Sequence, residues 1–261
     1  MIVMRVKLFG CPIDILSMDE TVDLVRTAVR RREQLHHVAI NAAKLVNLQA
    51  NSELAEDIKR SHIVGIDGMS IVLALRAFGW RNPERVAGID LMDEVLGMCA
   101  KEGFRPFFLG AKPAIVVKAS SKACEKYPEL EFAGIRDGYF SEAEEADVVE
   151  QIRASGADCL FVGIPTPYKE RFLAKNAEAL GVPFIMGVGG SFDVWAGFVK
   201  RAPVAMQRFG MEWLYRTYQE PRRMWWRYTR TNSIFAAMLL YGVIRSRLLG
   251  LAATEPKAPT S

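Results

Sequence analysis

Six short apolar runs, each followed by a stretch with helical or loop character, divide the chain between residues 37 and 190. His37-Val38-Ala39-Ile40-Asn41 precedes 42–59, where Leu45, Leu48, Leu54 and Ile58 recur at helical spacing. His62-Ile63-Val64-Gly65-Ile66 precedes a helix expected over about 68–78, and Pro106-Phe107-Phe108-Leu109-Gly110 precedes one over 113–126. Glu131–Ile135 leads to 141–155, where Ser141 followed by Glu144 forms a capping-box signature. Cys159–Gly163 precedes 168–180, and Pro183–Val188 precedes a loop and a short helix. Strands that alternate with helices predict an α/β fold: a mainly parallel, Rossmann-like sheet with helices on both faces. No internal repeat interrupts the pattern.

Sheets of this kind bind ligands at the carboxyl ends of their strands. The positions of interest are therefore Asn41, Asp67, Gly110, the segment 163–169 and the segment 187–193. Asp67 ends one apolar run. A carboxylate there can face a cleft, which suits a general base; an aspartate capping the next helix would look the same. Gly187-Val188-Gly189-Gly190-Ser191-Phe192-Asp193 lies between a strand and a helix. Its glycines would let backbone N–H groups approach a phosphate, although a plain tight turn fits equally and the spacing is not that of a dinucleotide fingerprint. The segment 107–113 follows the same logic.

The pattern changes after Ala205. Ten Lys/Arg between residues 200 and 250 face two acids, a net of +8. The whole chain is +4, so the remainder is about −4. Trp225 and Trp226 stand among these arginines, and the segments read as helices. This organisation predicts an α/β core over 1–205, a basic, tryptophan-rich helical appendage over 206–250 and a disordered tail over 251–261. A basic, tryptophan-rich segment on a mildly acidic body points to an anionic membrane surface. A solvated face that is merely attracted to lipid is the alternative for any single arginine. The longest apolar run, 234–244, has eleven residues, against the ~20 of a spanning helix. Charges at Arg5 and Lys7 interrupt the apolar stretch that a signal peptide would need.

Cys11, Cys99, Cys124 and Cys159 are scattered without a C-x-x-C pair, which fits a reducing compartment and argues against a disulfide framework or zinc site. His36, His37 and His62 lack ligand spacing, and no Asp-x-Asp follows an apolar run. The expectation is no metal and no cofactor, with positive side chains stabilising any leaving diphosphate.

Several motifs then occur in one order: Asn41-Ala42-Ala43-Lys44, Ile66-Asp67-Gly68-Met69, Arg85-Val86-Ala87-Gly88-Ile89-Asp90-Leu91, Phe108-Leu109-Gly110, Asp137-Gly138-Tyr139-Phe140 and the glycine segment 187–193. Ala196-Gly197 with Arg201-Ala202-Pro203, Gly210-Met211-Glu212-Trp213-Leu214-Tyr215-Arg216 and Glu220-Pro221 complete the set. In this the chain resembles the WecG/TagA/CpsF family of bacterial glycosyltransferases, over about 8–230. The resemblance implies an inverting, metal-independent transfer of a hexose-type sugar, of the N-acetylmannosamine, uronic acid or glucose class. The donor would be a UDP-sugar and the acceptor a polyprenyl-diphosphate-linked saccharide of cell-surface polysaccharide synthesis. It implies three catalytic residues, Asp67 as the base together with Asn41 and Arg85. Gly110, Gly138, Lys169, Gly189, Gly190 and Asp193 would bind the nucleotide sugar, and Arg216 and Arg223 the diphosphate. Two departures bear on sugar specificity: Ala39 where many members have Thr, and Lys169-Glu170 where many have Gln-Glu.

The expected location is the cytoplasm, peripheral on the inner face of the cytoplasmic membrane. The expected partners are donor, acceptor and membrane surface, without nucleic acid; homo-oligomerisation stays open. Two rival readings are a non-catalytic nucleotide-sugar-binding module that organises a membrane assembly complex, and a nucleotide-dependent oxidoreductase, which the glycine spacing disfavours.

Overall fold

The computed structural model describes residues 3–249, so the expected tail at 251–261 lies outside the described residues. A hairpin, β1 (Met4–Leu8) and β2 (Cys11–Ile15), leads into helix α1 (Met18–Arg31). Then follow β3 (Leu35–Ile40), α2 (Ala42–Ala50), α3 (Ser52–Lys59), β4 (Ile63–Ile66), α4 (Met69–Ala77) and α5 (Gly88–Glu102). The second half runs β5 (Pro106–Gly110), α6 (Pro113–Lys126), β6 (Gly134–Arg136), α7 (Glu145–Ala154), β7 (Cys159–Gly163), α8 (Tyr168–Leu180), β8 (Phe184–Gly187) and α9 (Ser191–Trp195). Helices α10 (Val204–Arg208), α11 (Glu212–Gln219) and α12 (Pro221–Leu249) close the described chain.

Six strands form one parallel sheet in the order β4-β3-β8-β7-β5-β6. The expected parallel α/β architecture with helices on both faces is therefore observed. Alternate residues along each strand serve opposite faces, which is why these strands read as continuous apolar runs. Phe108, Phe161, Phe184 and Met186 pack against α1, α5 and α6, while Phe107, Leu109, Leu160 and Ile185 pack against α7 and α8. Val38, Ile40, Val64 and Ile66 meet α2, α3 and α4 together with the hairpin.

Three details depart from the sequence expectation. The helix expected over 42–59 is two helices, because Asn51 sits extended (φ −136°) and its side chain accepts the Leu54 N–H at 2.9 Å, starting α3 afresh. The strand expected at 131–135 lies at Gly134–Arg136. The hairpin and helices α1 and α5 were not singled out in the sequence at all. The capping box at Ser141 and Glu144 is present.

The hairpin covers the outer edge of the sheet. Arg5 grips Asp14 through two bonds of 2.7 and 2.6 Å, and Asp14 Oδ2 accepts the Val64 N–H at 2.7 Å. Arg5 also donates to the His62 carbonyl at 2.6 Å, and the Val86 N–H to the Ile66 carbonyl at 2.8 Å. On the same flank α12 lays Phe235 into the core, and its Gly242 stands against Phe9 and Phe78. The apolar run 234–244 is thus shared between two surroundings: Phe235 is buried, whereas Leu240, Tyr241 and Ile244 are exposed. Among the described residues no helix is long and apolar enough to cross a membrane.

Two histidines of β3 are buried, and Nε2 of His36 and both ring nitrogens of His37 have no hydrogen-bond partner among the described residues. Burial pushes His36 down to about 3, helped by the neighbouring His37 and His62, and His37 down to about 4, helped by Lys44. Both folded values lie below that of the unfolded chain. Acid therefore protonates the unfolded state first, and stability falls as pH drops from about 6.5 towards 4. Each histidine should remove about 1 kcal/mol per pH unit over that window. Urea midpoints at pH 7.5, 6 and 5 check this; a flat profile would contradict it.

Candidate active site

Strand order places the reactive positions together. The chain leaves β3 outward to β4, crosses through α5 to the far half of the sheet, and returns through β7 and β8 to lie beside β3. The carboxyl ends of β3, β4 and β8 thereby share one mouth, the usual place for a ligand in such a sheet.

Asp67 stands there, directly after β4. Its backbone N–H donates to the Ile40 carbonyl at 2.9 Å, which ties the ends of β3 and β4 together. Its carboxylate accepts two bonds: Oδ1 from the Gly88 N–H at 2.9 Å and Oδ2 from Asn41 Nδ2 at 3.2 Å. Asn41 is itself held, because its Oδ1 caps α2 by accepting the Lys44 N–H at 3.1 Å. Asp67 therefore does not serve as the cap of the following helix; Gly68 occupies that position without a side-chain bond. Each carboxylate oxygen keeps capacity for a further donor, such as the hydroxyl of an incoming acceptor. Arg85 lies three residues before α5. Its Nε donates to the Asp67 carbonyl at 2.7 Å, and a terminal nitrogen pairs with the Glu212 carboxylate. Asn41, Asp67 and Arg85 are thus one bonded group.

Lys169 lies close to this group, buried in the first turn of α8. Its chain passes beneath β8: a Cβ on Gly187 would stand 2.4 Å from Lys169 Cε. Lys169 and Lys44 each reach the same Glu170 oxygen at 3.1 Å. Thr166 Oγ1 donates to it at 3.2 Å, and the other oxygen has no partner among the described residues. Burial, with the like charge of Lys44, lowers the Lys169 ammonium to about 8, against the pull of Glu170 and Asp67. Burial alone would raise the Glu170 carboxyl, but Lys44 and Lys169 draw it down to about 2. Two ammonium groups share one carboxylate, so this buried cluster carries a surplus of positive charge next to Asp67.

The glycines form the other wall. Gly110 ends β5 at φ +132°, a conformation that excludes ordinary side chains, and a Cβ there would lie 2.5 Å from the Gly163 carbonyl carbon. Gly138 rests on Gly110 in turn: its Cβ would lie 3.0 Å from the Gly110 Cα. Gly189 and Gly190 follow β8, and the Arg216 guanidinium comes within 3.0 Å of where a Cβ on Gly190 would stand. Asp193 lies one turn later in α9, half-buried, with its carbonyl accepting the N–H groups of Phe198 and Val199. Among the described residues its carboxylate forms no hydrogen bond or ion pair with the Asp67 group. The side chain of Arg223 lies outside the described residues.

Three participants lay outside the sequence expectation. Gly88 and Glu212 sit inside motifs already noted, yet nothing local marks them as partners of Asp67 and Arg85. Glu170 was visible only as the neighbour of Lys169, and its pairing with Lys44 spans the fold. A fourth tie, Arg201 to Asp90 through two bonds of 2.5 and 2.6 Å, fastens the segment after α9 to the start of α5.

Compared with known proteins, the chain matches the family described as Glycosyl transferase WecG/TagA/CpsF family over residues 6–248.

Proposed function

Because the chain belongs to the WecG/TagA/CpsF family of glycosyl transferases, we propose that it transfers a hexose-type sugar from a UDP-sugar to a polyprenyl-diphosphate-linked saccharide in cell-surface polysaccharide synthesis. The observation that carries this reading is the pairing, across one mouth, of an anchored carboxylate at Asp67 with an arginine-flanked glycine turn at 189–190. The first suits proton removal and the second a diphosphate. Asp67 takes the proton of the acceptor hydroxyl as its oxygen attacks the anomeric carbon. The bond to the UDP oxygen breaks on the opposite face, so the anomeric configuration inverts. Charge develops on the leaving diphosphate, where fixed cations and N–H donors lower the barrier. Arg216 and the backbone around Gly189 and Gly190 are the supply nearest to hand, with Arg85 and Arg223 completing it. Gly110, Gly138 and Asp193 belong to the nucleotide side of the mouth in this reading. The Lys44, Glu170 and Lys169 cluster places two cations against one buried carboxylate beside the same mouth.

Segment 206–250 would be the peripheral membrane attachment. Trp225, Trp226, Leu240 and Ile244 are exposed on α12, with arginines 222, 227, 230, 245 and 247 along the same helix. Apolar side chains entering the headgroup region and cations near an anionic leaflet add their contributions.

The deciding experiment is UDP release from a panel of UDP-sugars, with and without a short-chain polyprenyl-diphosphate saccharide. Release that requires the acceptor supports transfer; binding without release for every donor would favour a non-catalytic module. The reaction should also survive chelation, since no Asp-x-Asp follows a strand and arginines are concentrated instead. Turnover abolished by EDTA and restored by Mg²⁺ or Mn²⁺ would overturn the metal-free mechanism.

A further inference from the structure

Glu212 opens α11 in a segment otherwise rich in arginine. A carboxylate in the first turn of a helix is favoured by the helix dipole wherever it points, so one kept for that reason alone would sit well in solvent. Glu212 instead turns inward and pairs with Arg85, 127 positions away, whose side chain is only 14% exposed. Arg85 then has its nitrogens divided. Nε holds the Asp67 carbonyl at 2.7 Å, and one terminal nitrogen holds Glu212. No hydrogen bond of the other terminal nitrogen is seen among the described residues.

Two more contacts place α11 across the mouth. Gly210, at φ +70°, lets the turn before α11 press on Met69, two residues beyond Asp67; a Cβ there would lie 2.9 Å from Met69 Cβ. One helical turn after Glu212, on the same side of α11, Arg216 reaches Gly190. The helix therefore touches the loop after β4 at one end and the loop after β8 at the other.

We propose that Glu212 is a positioning residue: by holding Arg85 it fastens α11 across the site and so places Arg216 over the Gly189–Gly190 turn. The proposal rests on the glycosyl-transfer reading for its catalytic consequence, but the fastening itself does not. Without the Glu212 carboxylate, α11 keeps only the packing of its preceding turn on Met69, and Arg216 loses its fixed approach to the leaving group.

Amide hydrogen exchange and kinetics test the two parts separately. In the ligand-free full chain, Glu212→Gln should speed exchange across 213–219 at least tenfold and leave 63–75 unchanged. Unchanged exchange in α11 overturns the proposal, whether or not the protein transfers sugar, and a thermal midpoint near that of the wild type shows that the variant is folded. In turnover, Arg216→Ala should lower kcat by ~10²–10³-fold, the usual cost of losing one donor to a developing charge, and Glu212→Ala by at least ~10-fold. The double variant should be no more than about threefold worse than the poorer single one, because both remove the same placement. Glu212→Asp should recover part of the loss. Losses that multiply in the double variant overturn the coupling to Arg216. A wild type that fails to transfer from every donor tried, while the exchange result holds, removes the glycosyl-transfer reading and leaves the fastening intact.

Discussion

Asp67→Asn should bind nucleotide donor nearly as well as the wild type and turn it over ~10²–10⁴-fold more slowly, the usual cost of losing a general base. The change keeps the shape and removes the proton acceptor. Its structural side effect is small and specific. Both carboxylate oxygens accept bonds, from Gly88 and from Asn41, so an amide in this place must turn its NH₂ group towards one of those donors. Asn41 cannot simply flip to compensate, because its own oxygen caps α2. One hydrogen bond is lost, worth about 1 kcal/mol. Calorimetric UDP binding and a thermal melt separate these effects from turnover. Turnover within about threefold of wild type would remove Asp67 from the base role.

Arg216→Ala and the paired change Trp225→Ala with Trp226→Ala should fail in opposite ways. Arg216 stands at the Gly190 turn, and loss of one donor to a developing charge typically costs ~10²–10³-fold in turnover. Sedimentation with anionic liposomes should barely change in that variant. The two tryptophans are exposed on α12. Their removal should weaken liposome sedimentation severalfold and spare activity on a short, water-soluble acceptor. If Arg216→Ala loses only liposome binding, α11 is an anchor and the leaving-group role moves to Arg85. Point substitutions are the right instrument here. Truncation after Ala205 would also strip Phe235 from the core, so its effects would mix unfolding with the loss of either role.

The sheet was legible because its strands are buried on both faces, which writes an uninterrupted apolar run into each. The ends of those runs then gave the mouth, and Asp67, Asn41 and the late glycines lie there. What escaped has physical reasons. Asn51 looks like any polar residue within an apparently continuous helix until its side chain is seen capping α3. Gly88 contributes through a backbone N–H, which no side-chain pattern announces. Lys169 stood among the expected nucleotide-sugar-binding residues; what the sequence did not show is that its ammonium pairs with Glu170, whose second cation comes from Lys44 in the first turn of α2. Ion pairs that close over such distances leave no local periodicity to read.

The grip of the hairpin on β4 has a consequence for the behaviour of the protein in concentrated solution. An outermost strand ordinarily offers a row of unsatisfied backbone groups to any other extended chain, the starting point of lateral aggregation. On β4 and the residue before it, the His62 carbonyl, the Val64 N–H and the Ile66 carbonyl are already engaged by Arg5, Asp14 and Val86. A carboxylate lodged there, rather than another strand, meets the donor without presenting a fresh edge of its own. These three groups are thus withdrawn from pairing on this side, which lowers the tendency of β4 to take up a further strand.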